Sequence, residues 1–236
     1  MTEPADSLQA RAIEAVDLKK RYGTGPESTE ALRGVTFVIE AGDYVSISGP
    51  SGSGKSTLLN MIGALDRPTS GRVYLDGVDI SRLSSVELAQ IRNQKLGFVF
   101  QEFNLIPRMS TVENVELPLS IRGVPPKERR EQAMALLERF GIAEKANRRP
   151  LQLSGGQRQR VAVARALANA PSIILADEPT GNLDSGNAKL TMDFLQSLNE
   201  DFGKTLVVVT HDLDAASRAN RTILMRDGLV ERTVVN

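Results

Sequence analysis

The stretch GPSGSGKST, residues 49–57, decides the fold of this chain. It matches the pattern G-x-x-x-x-G-K-[ST] and lies between an apolar run at 44–48, which predicts a strand, and one at 55–65, which predicts a helix. Glycines allow backbone N–H groups to point inward around phosphate oxygens, and the N-terminus of the following helix adds positive potential. The alternative is a chance arrangement of Gly, Ser and Lys, which the strand–loop–helix context disfavours. The stretch therefore predicts a loop that binds nucleotide phosphates.

The polar residues of this phosphate loop have separate expected roles. Lys55 is expected to contact the β- and γ-phosphates of a bound nucleotide, Ser56 to be a ligand of Mg²⁺, and Thr57 to contact the α-phosphate. The residues predicted to bind nucleotide here are Gly49, Pro50, Ser51, Gly52, Ser53, Gly54, Lys55, Ser56 and Thr57.

Composition narrows the class of protein. The 236 residues are 41% hydrophobic and 25% charged, as in ordinary globular proteins, and Lys+Arg balance Asp+Glu at 29 each. This balance argues against a nucleic-acid partner. The absence of cysteine excludes disulfides, thiolate zinc sites and cysteine nucleophiles. The first residues show no signal-peptide pattern and are expected to fray, and no apolar run approaches the roughly 20 residues of a membrane span. A role at a membrane would therefore need a partner.

Alternating strand and helix patterns predict an α/β fold. We predict a phosphate-loop NTPase core, with a mostly parallel sheet and an antiparallel β edge, interrupted by a helical subdomain. The core comprises 12–101 and 170–236, the helical subdomain comprises 102–169, and both belong to one domain, 1–236. Predicted strands are 12–18, 35–40, 44–48, 72–75, 97–100, 173–176, 205–209, 223–225 and 229–232, with turns at 76–77 and 227–228. Predicted helices include 55–65, 127–140 and 187–202.

Two carboxylates end the buried strand in SIILADEP, residues 172–179. Asp177 is expected to hold a magnesium-bound water, as the strand-end acid of phosphate-loop enzymes does. Glu178 is the candidate general base that activates the attacking water. An ordinary polar strand end is the alternative, and the phosphate loop upstream favours the functional interpretation.

A second glycine-rich segment opens LSGGQRQRVAVARAL, residues 153–167. Ser154, Gly155 and Gly156 form another backbone anion site at the start of a helix. One helix N-terminus caps a phosphate from one side, so two such segments indicate a shared γ-phosphate.

With these motifs the chain resembles the nucleotide-binding subunits of ABC transporters over nearly its whole length. The resemblance implies ATP and Mg²⁺ as ligands, Tyr22 stacked on adenine after the first strand, and Gln101 sensing Mg²⁺ and the γ-phosphate. It also implies that His211, the single histidine of the sequence, grips the γ-phosphate together with Lys55 and Glu178 as catalytic residues. Residues 181–184, GNLD, resemble the D-loop that crosses the dimer interface. Two copies would close head to tail, so that Ser154, Gly155 and Gly156 of one copy face residues 49–56 of the other.

Four further segments resemble the macrolide-efflux, lipoprotein-release and bacitracin-resistance type of cassette, and the cell-division ATPase less closely. They are YGTGPESTEALRGV, LNMIGALDRPTSG, FQEFNLIPRMSTVENVELPL and ADEPTGNLDS. This type implies a permease subunit in the membrane and a location on the cytoplasmic face. The apolar residues between Phe103 and Leu119, beside Gln101, are expected to form the groove for that subunit, so polar substitutions at Phe103 or Leu105 should uncouple ATP hydrolysis from transport. The alternative is that these residues only cover the helical segment.

Two other functions stay open at this point. One is a cassette ATPase without a transport role, acting in DNA repair, chromosome organisation or translation. The other is a regulatory module with a vestigial ATP site, which the presence of Glu178 and His211 disfavours.

Overall fold

The computed structural model describes residues 10–236, so the expected fraying concerns residues outside the described part, apart from residue 10. The strands are β1 (Arg11–Tyr22), β2 (Thr29–Glu40), β3 (Tyr44–Ser48), β4 (Ser70–Leu75), β5 (Val78–Asp79), β6 (Leu96–Phe100), β7 (Ile173–Asp177), β8 (Thr205–Val209), β9 (Arg221–Arg226) and β10 (Leu229–Val235). The helices are α1 (Lys55–Ile62), α2 (Ser85–Lys95), α3 (Thr111–Ile121), α4 (Pro126–Arg139), α5 (Gly155–Leu167), α6 (Ser185–Glu200) and α7 (Leu213–Ser217).

The strands form two sheets. The first has four antiparallel strands in the order β2-β1-β4-β5, and the second has six strands in the order β10-β9-β3-β8-β7-β6. In the second sheet β9, β3, β8, β7 and β6 run parallel, and β10 is an antiparallel edge. The predicted α/β class with a parallel-dominated sheet is confirmed, and the antiparallel part is larger than an edge because β1, β2, β4 and β5 form a sheet of their own.

Both faces of the parallel sheet are covered, as its continuous apolar strands require. Along β7, Ile173 and Leu175 pack into a core shared with α1 and the antiparallel sheet, whereas Ile174 and Ala176 pack into a core shared with α3, α4, α5 and α6. This alternation follows from the two-residue period of a strand. The parallel strands all end at the same edge, where Asp177 of β7 is paired with Phe100 of β6 and with Val209 of β8.

Most predicted elements are present with shifted ends. Helix α1 ends at Ile62 instead of residue 65, and Gly63 follows it as the C-cap. Strand β1 continues to Tyr22, so this residue ends the strand instead of following it. Helix α2 was not predicted, because Leu88 is its one buried residue and its apolar pattern is weak. Its start is nevertheless encoded by a capping box between Ser84 and Glu87.

The segment 102–169 contains α3, α4 and α5, as its predicted helical character requires. The division of the chain into core and helical subdomain at these boundaries stays a prediction. Within residues 10–236, no helix has the length and apolarity needed to cross a membrane.

Candidate functional site

The phosphate loop connects β3 to α1, and two of its glycines are required by their surroundings. Gly49 has φ +153, and a Cβ there would overlap the carbonyl oxygen of Met225 on β9. Gly54 is the N-cap of α1 with φ +98, and a Cβ there would lie 2.5 Å from the carbonyl oxygen of Ala31. The loop can therefore pass close to two neighbouring strands only with glycine at both positions.

Lys55 is held by the loop itself. Its Nζ donates to the carbonyl oxygens of Gly49 at 2.8 Å and Pro50 at 2.9 Å. Carbonyls are weaker partners for an ammonium group than phosphate oxygens, so the lysine is positioned for exchange with an anionic ligand. The buried hydroxyl of Ser53 has no hydrogen-bond partner within residues 10–236, which leaves a polar atom inside the loop available to a ligand.

Asp177 and Glu178 lie where β7 ends, as predicted. Burial raises the pKa of Asp177, and so does the neighbouring charge of Glu178, while the ammonium group of Lys55 opposes the shift. Glu178 has a left-handed backbone, with φ +44, and its N–H donates to the carbonyl oxygen of Val209 at 2.9 Å. The strand end therefore turns sharply at the glutamate and presents two adjacent carboxylates.

His211 and Thr210 hold the carboxylate of Glu178. Oε1 lies 2.7 Å from Nδ1 of His211 and accepts the backbone N–H of the same residue at 3.1 Å. Oε2 accepts from the hydroxyl of Thr210 at 3.2 Å. Both carboxylate oxygens are thus oriented by residues that follow β8, and the histidine side chain itself is 76% exposed to solvent. The two predicted catalytic residues are thus in direct contact, which the sequence did not predict, and their catalytic roles stay predictions.

Apart from Ser53 and Thr210, these residues line one cleft of about 710 Å³, a volume within the range of small-ligand sites. The lining residues are Thr29, Glu30, Ala31, Gly49, Pro50, Ser51, Gly52, Gly54, Lys55, Ser56, Thr57, Asp177, Glu178, Val209 and His211. The start of β2, residues 29–31, was not predicted to belong to the site. Its contribution depends on how the antiparallel sheet packs beside the loop, and no local motif encodes it.

Besides Ser53, three predicted groups do not line this cleft. Tyr22 is 41% exposed, its hydroxyl donates to Asp66 at 3.2 Å, and the ammonium group of Lys20 lies 4.8 Å from its ring centroid. Gln101 follows β6, its Nε2 lies 3.4 Å from Oδ1 of Asn182, and its carbonyl oxygen accepts from Asn182 at 3.1 Å. The adenine-stacking role of Tyr22 and the metal-sensing role of Gln101 stay predictions.

The third group is Ser154, Gly155 and Gly156 at the start of α5. The hydroxyl of Ser154 accepts from the N–H of Gln157 at 3.3 Å, and the Gln157 side chain accepts the N–H of Ser154 at 3.0 Å. A Cβ on Gly156 would overlap the side chain of Asn187. The first N–H groups of a helix have no partner within it, so such groups lie at this helix start, outside the cleft, and the anion-binding role of the segment stays a prediction.

The residues of the cleft fit a magnesium ion that is bound with a nucleotide. Within residues 10–236, no group of three or more His, Asp or Glu side chains could hold a metal ion. The hydroxyls and carboxylates that line the cleft include the two predicted ligands, Ser56 and Asp177. Mg²⁺ is typically bound by one or two such ligands together with water and substrate phosphates, so this donor set fits it.

Comparisons with known proteins agree with this geometry. The family model described as ABC transporter matches residues 32–181. An uncharacterized ABC transporter ATP-binding protein of Thermotoga maritima is 53% identical over 221 residues, which is 94% of each chain. A macrolide export ATP-binding/permease protein, MacB of Syntrophobacter fumaroxidans, is 51% identical over 93% of this chain, and the match covers 31% of that longer protein.

A solved structure of the ATP-binding cassette MJ0796 of Methanocaldococcus jannaschii is also similar. It is described as a dimeric post-hydrolysis state bound to ADP and Pi, and it matches with a TM-score of 0.88 and 50% identity. The match covers 94% of this chain and 98% of that one.

Proposed function

The chain belongs to the ABC transporter family as an ATP-hydrolysing, ATP-binding subunit, and from this premise we propose that two copies close head to tail around two ATP molecules and drive a separate membrane subunit. The observation that carries the proposal is the separation of two anion-binding segments. The phosphate loop, Glu178 and His211 line one cleft, whereas Ser154, Gly155 and Gly156 lie outside it. A second copy can supply the missing cap, and the dimeric MJ0796 cassette, itself bound to ADP and Pi, supports this arrangement.

In this mechanism the chain's own residues bind, orient and accept a proton. Lys55 exchanges its loop carbonyls for the β- and γ-phosphates, and Tyr22 stacks on adenine. Mg²⁺, held near Ser56 and Asp177 and sensed by Gln101, would neutralise charge on the phosphates. Glu178 orients a water molecule in line with the γ-phosphate and accepts its proton, while His211 stabilises the charge that spreads over the γ-phosphate oxygens.

Phosphate release by the purified chain tests this function. A general base contributes roughly 10²–10⁴-fold, so Glu178→Gln should lower the turnover number by at least about 100-fold while ATP still binds. Lys55→Ala should lose ATP affinity as well, because it removes the charged partner of the phosphates. Turnover of Glu178→Gln within a few-fold of the wild type would contradict the assigned base.

We assign the membrane subunit to a groove of about 390 Å³ beside the segment that follows Gln101. Its apolar walls come from α2, α3, α5 and β6, and include Leu117 and Ile121. Arg92 and Arg165 add positive charge, and among residues 10–236 no acidic side chain lines the groove. These features fit a short amphipathic helix with an apolar face and a carboxylate, and a permease bound there would hold the chain at the cytoplasmic face of the membrane.

The residues first expected to form the groove have a different position. Phe103 is 7% exposed and packs in the core, and Leu105 packs against the core of the helical segment. The burial of both side chains supports the alternative that they cover the helical segment, and we expect polar substitutions there to destabilise the fold. Asn104 and Leu117, from the same segment, do line the groove.

A matched pair of substitutions tests the groove. Ile121 is 67% exposed at its rim, whereas Val86 is 68% exposed on α2 and does not line it. The variants are purified together with the membrane subunit. Ile121→Asp should abolish binding of that subunit or the effect of that subunit on the ATPase rate, whereas Val86→Asp should preserve the binding and the effect. The groove is wrong if both variants assemble and couple like the wild type.

The transporter type is the final part of the proposal. We place the chain with cassettes that power mechanical export, lipoprotein release or drug resistance. The macrolide export ATP-binding/permease relative and a pyoverdine export ATP-binding/permease relative from Pseudomonas aeruginosa, 52% identical over 92% of this chain, support this type. Identifying the membrane protein that co-purifies with the chain tests it, because this type predicts few spanning helices and a large extracytoplasmic region.

A further inference from the structure

Gln159 is a fully buried amide on α5 that contacts the residue after Glu178. Its side chain is 0% exposed, and its Nε2 donates to the carbonyl oxygen of Pro179 at 2.7 Å. Helix α5 begins directly after Ser154, and Pro179 directly follows Glu178. One hydrogen bond therefore joins the helix that carries the second anion-binding segment to the peptide next to the candidate base.

The amide oxygen of Gln159, Oε1, argues against a purely stabilising role for this side chain. Within residues 10–236, no hydrogen-bond partner exists for the buried Oε1 of Gln159. A buried carbonyl without a partner is unfavourable, whereas an apolar side chain of similar size would fill the same space without that loss. Rotating the amide would bring Oε1 against the Pro179 oxygen, so the observed orientation is fixed by the donor that Pro179 requires.

The backbone at Glu178 needs such a restraint. A left-handed φ of +44 is sparsely populated by residues with a Cβ and persists when the surroundings hold it. Glu178 donates to Val209 at 2.9 Å, and its carbonyl oxygen accepts from Gly181 at 3.1 Å. Because Pro179 has no N–H, its carbonyl oxygen is the one backbone atom through which a hydrogen bond can hold this residue, and Gln159 contacts that atom.

We propose that Gln159 is a positioning residue for Glu178, and that it links the two ATP sites of the dimer. The inference rests on the proposed function, in which Glu178 is the base in one site and the Ser154 segment of the same chain caps ATP in the other. A shift of α5 when that segment captures a γ-phosphate would move Pro179 through Gln159, and would set the Glu178 carboxylate in line with its water. Closure of the opposite site thus improves the alignment of the base.

The first test is Gln159→Met, which keeps the volume and removes the donor. A misplacement approaching 1 Å costs up to roughly 100-fold, so we expect kcat to fall about 10- to 100-fold with the KM for ATP within about threefold of the wild type. Val161→Ala, a buried cavity variant on the same helix, controls for lost stability. It should lower the melting temperature at least as much as Gln159→Met and keep kcat within about threefold.

The second test repeats Gln159→Met in the Glu178→Gln background. If Gln159 acts through Glu178, the residual turnover should not fall further, and ATP-dependent dimerisation should persist. An equal fold-loss in both backgrounds would overturn the inference, as would wild-type turnover of Gln159→Met. If Glu178→Gln itself hydrolyses ATP normally, the proposed function fails first, and the inference with it.

Discussion

Arg165 stabilises the turn at residues 103–104, shortly after Gln101, and its replacement should lower the stability of the fold by an amount that can be estimated. Its guanidinium group, on α5, donates to the carbonyl oxygen of Asn104 at 2.5 Å and of Phe103 at 2.8 Å. Phe103 and Asn104 both have left-handed backbones, with φ +62 and +48. Two consecutive non-glycine residues in this conformation are strained, so the arginine maintains a turn that the local sequence disfavours.

The expected loss for Arg165→Met follows from opposing contributions. Two hydrogen bonds to a charged donor contribute about 1.5–3 kcal/mol each. Relaxation of the strained turn returns about 1–2 kcal/mol. Burial lowers the pKa of Arg165, which marks a desolvation cost that methionine also removes. These contributions leave about 1–5 kcal/mol, which the removed desolvation cost reduces, so we expect a net destabilisation of about 2–3 kcal/mol. For a domain of this size that lowers the melting temperature by roughly 5–10 °C.

Thermal and urea unfolding of Arg165→Met, Arg165→Lys and Arg108→Met measure this loss. Lysine keeps the charge and can donate a well-aligned hydrogen bond to one of the two carbonyl oxygens. Arg165→Lys should therefore lose only about half as much stability as Arg165→Met. Arg108 is exposed on the same segment, and its substitution should change stability by less than about 0.5 kcal/mol. An Arg165→Met protein that melts within about 2 °C of the wild type would refute this reasoning.

Two further predictions concern the site itself. The pKa of Asp177 is raised in the folded chain, so ionisation of this carboxyl lowers the stability of the fold as the pH rises above about 4. Asp177→Asn should therefore have a higher melting temperature than the wild type near pH 7.5, and the difference should narrow toward pH 4. Equal melting temperatures at both pH values would contradict this. In Gly156→Ala, a helix-propensity gain of about 1 kcal/mol opposes the displacement of the Asn187 side chain, whose amide donates to Asp184 at 2.6 Å. We expect net destabilisation in urea unfolding together with weaker ATP-dependent dimerisation, and an alanine variant more stable than the wild type would show that the overlap is harmless.

The phosphate loop and the strand-end acids could be predicted because their geometry is local. A glycine-rich turn between a strand and a helix creates an anion site wherever it folds, and parallel strands place Asp177 at the same edge as the loop. The same local logic identified the α/β class, since continuous β-branched strands require cover on both faces.

Features set by tertiary packing could not be predicted. Residues 29–31 enter the cleft because of the packing of the antiparallel sheet. Phe103 looked like a groove residue by its apolar character, yet its left-handed backbone and the guanidinium of Arg158, 4.9 Å from its ring centroid, turn it into the core. In the sequence, Gln159 is indistinguishable from other polar residues of a helix. Its proposed role depends on the tertiary contact with Pro179, which the sequence does not reveal.

The central claim is that one ATP site is built from two copies, and a mixing experiment tests it most directly. Lys55→Ala disables the phosphate loop and Ser154→Arg disables the cap, so each variant alone should be inactive. In a mixture, the heterodimer pairs an intact phosphate loop with an intact cap at one of its two sites. Random pairing then predicts that phosphate release recovers to at most about one quarter of the wild-type rate at equal total concentration, and to less in so far as closure of the opposite site aligns Glu178 through Gln159. A mixture as inactive as its components would contradict the account.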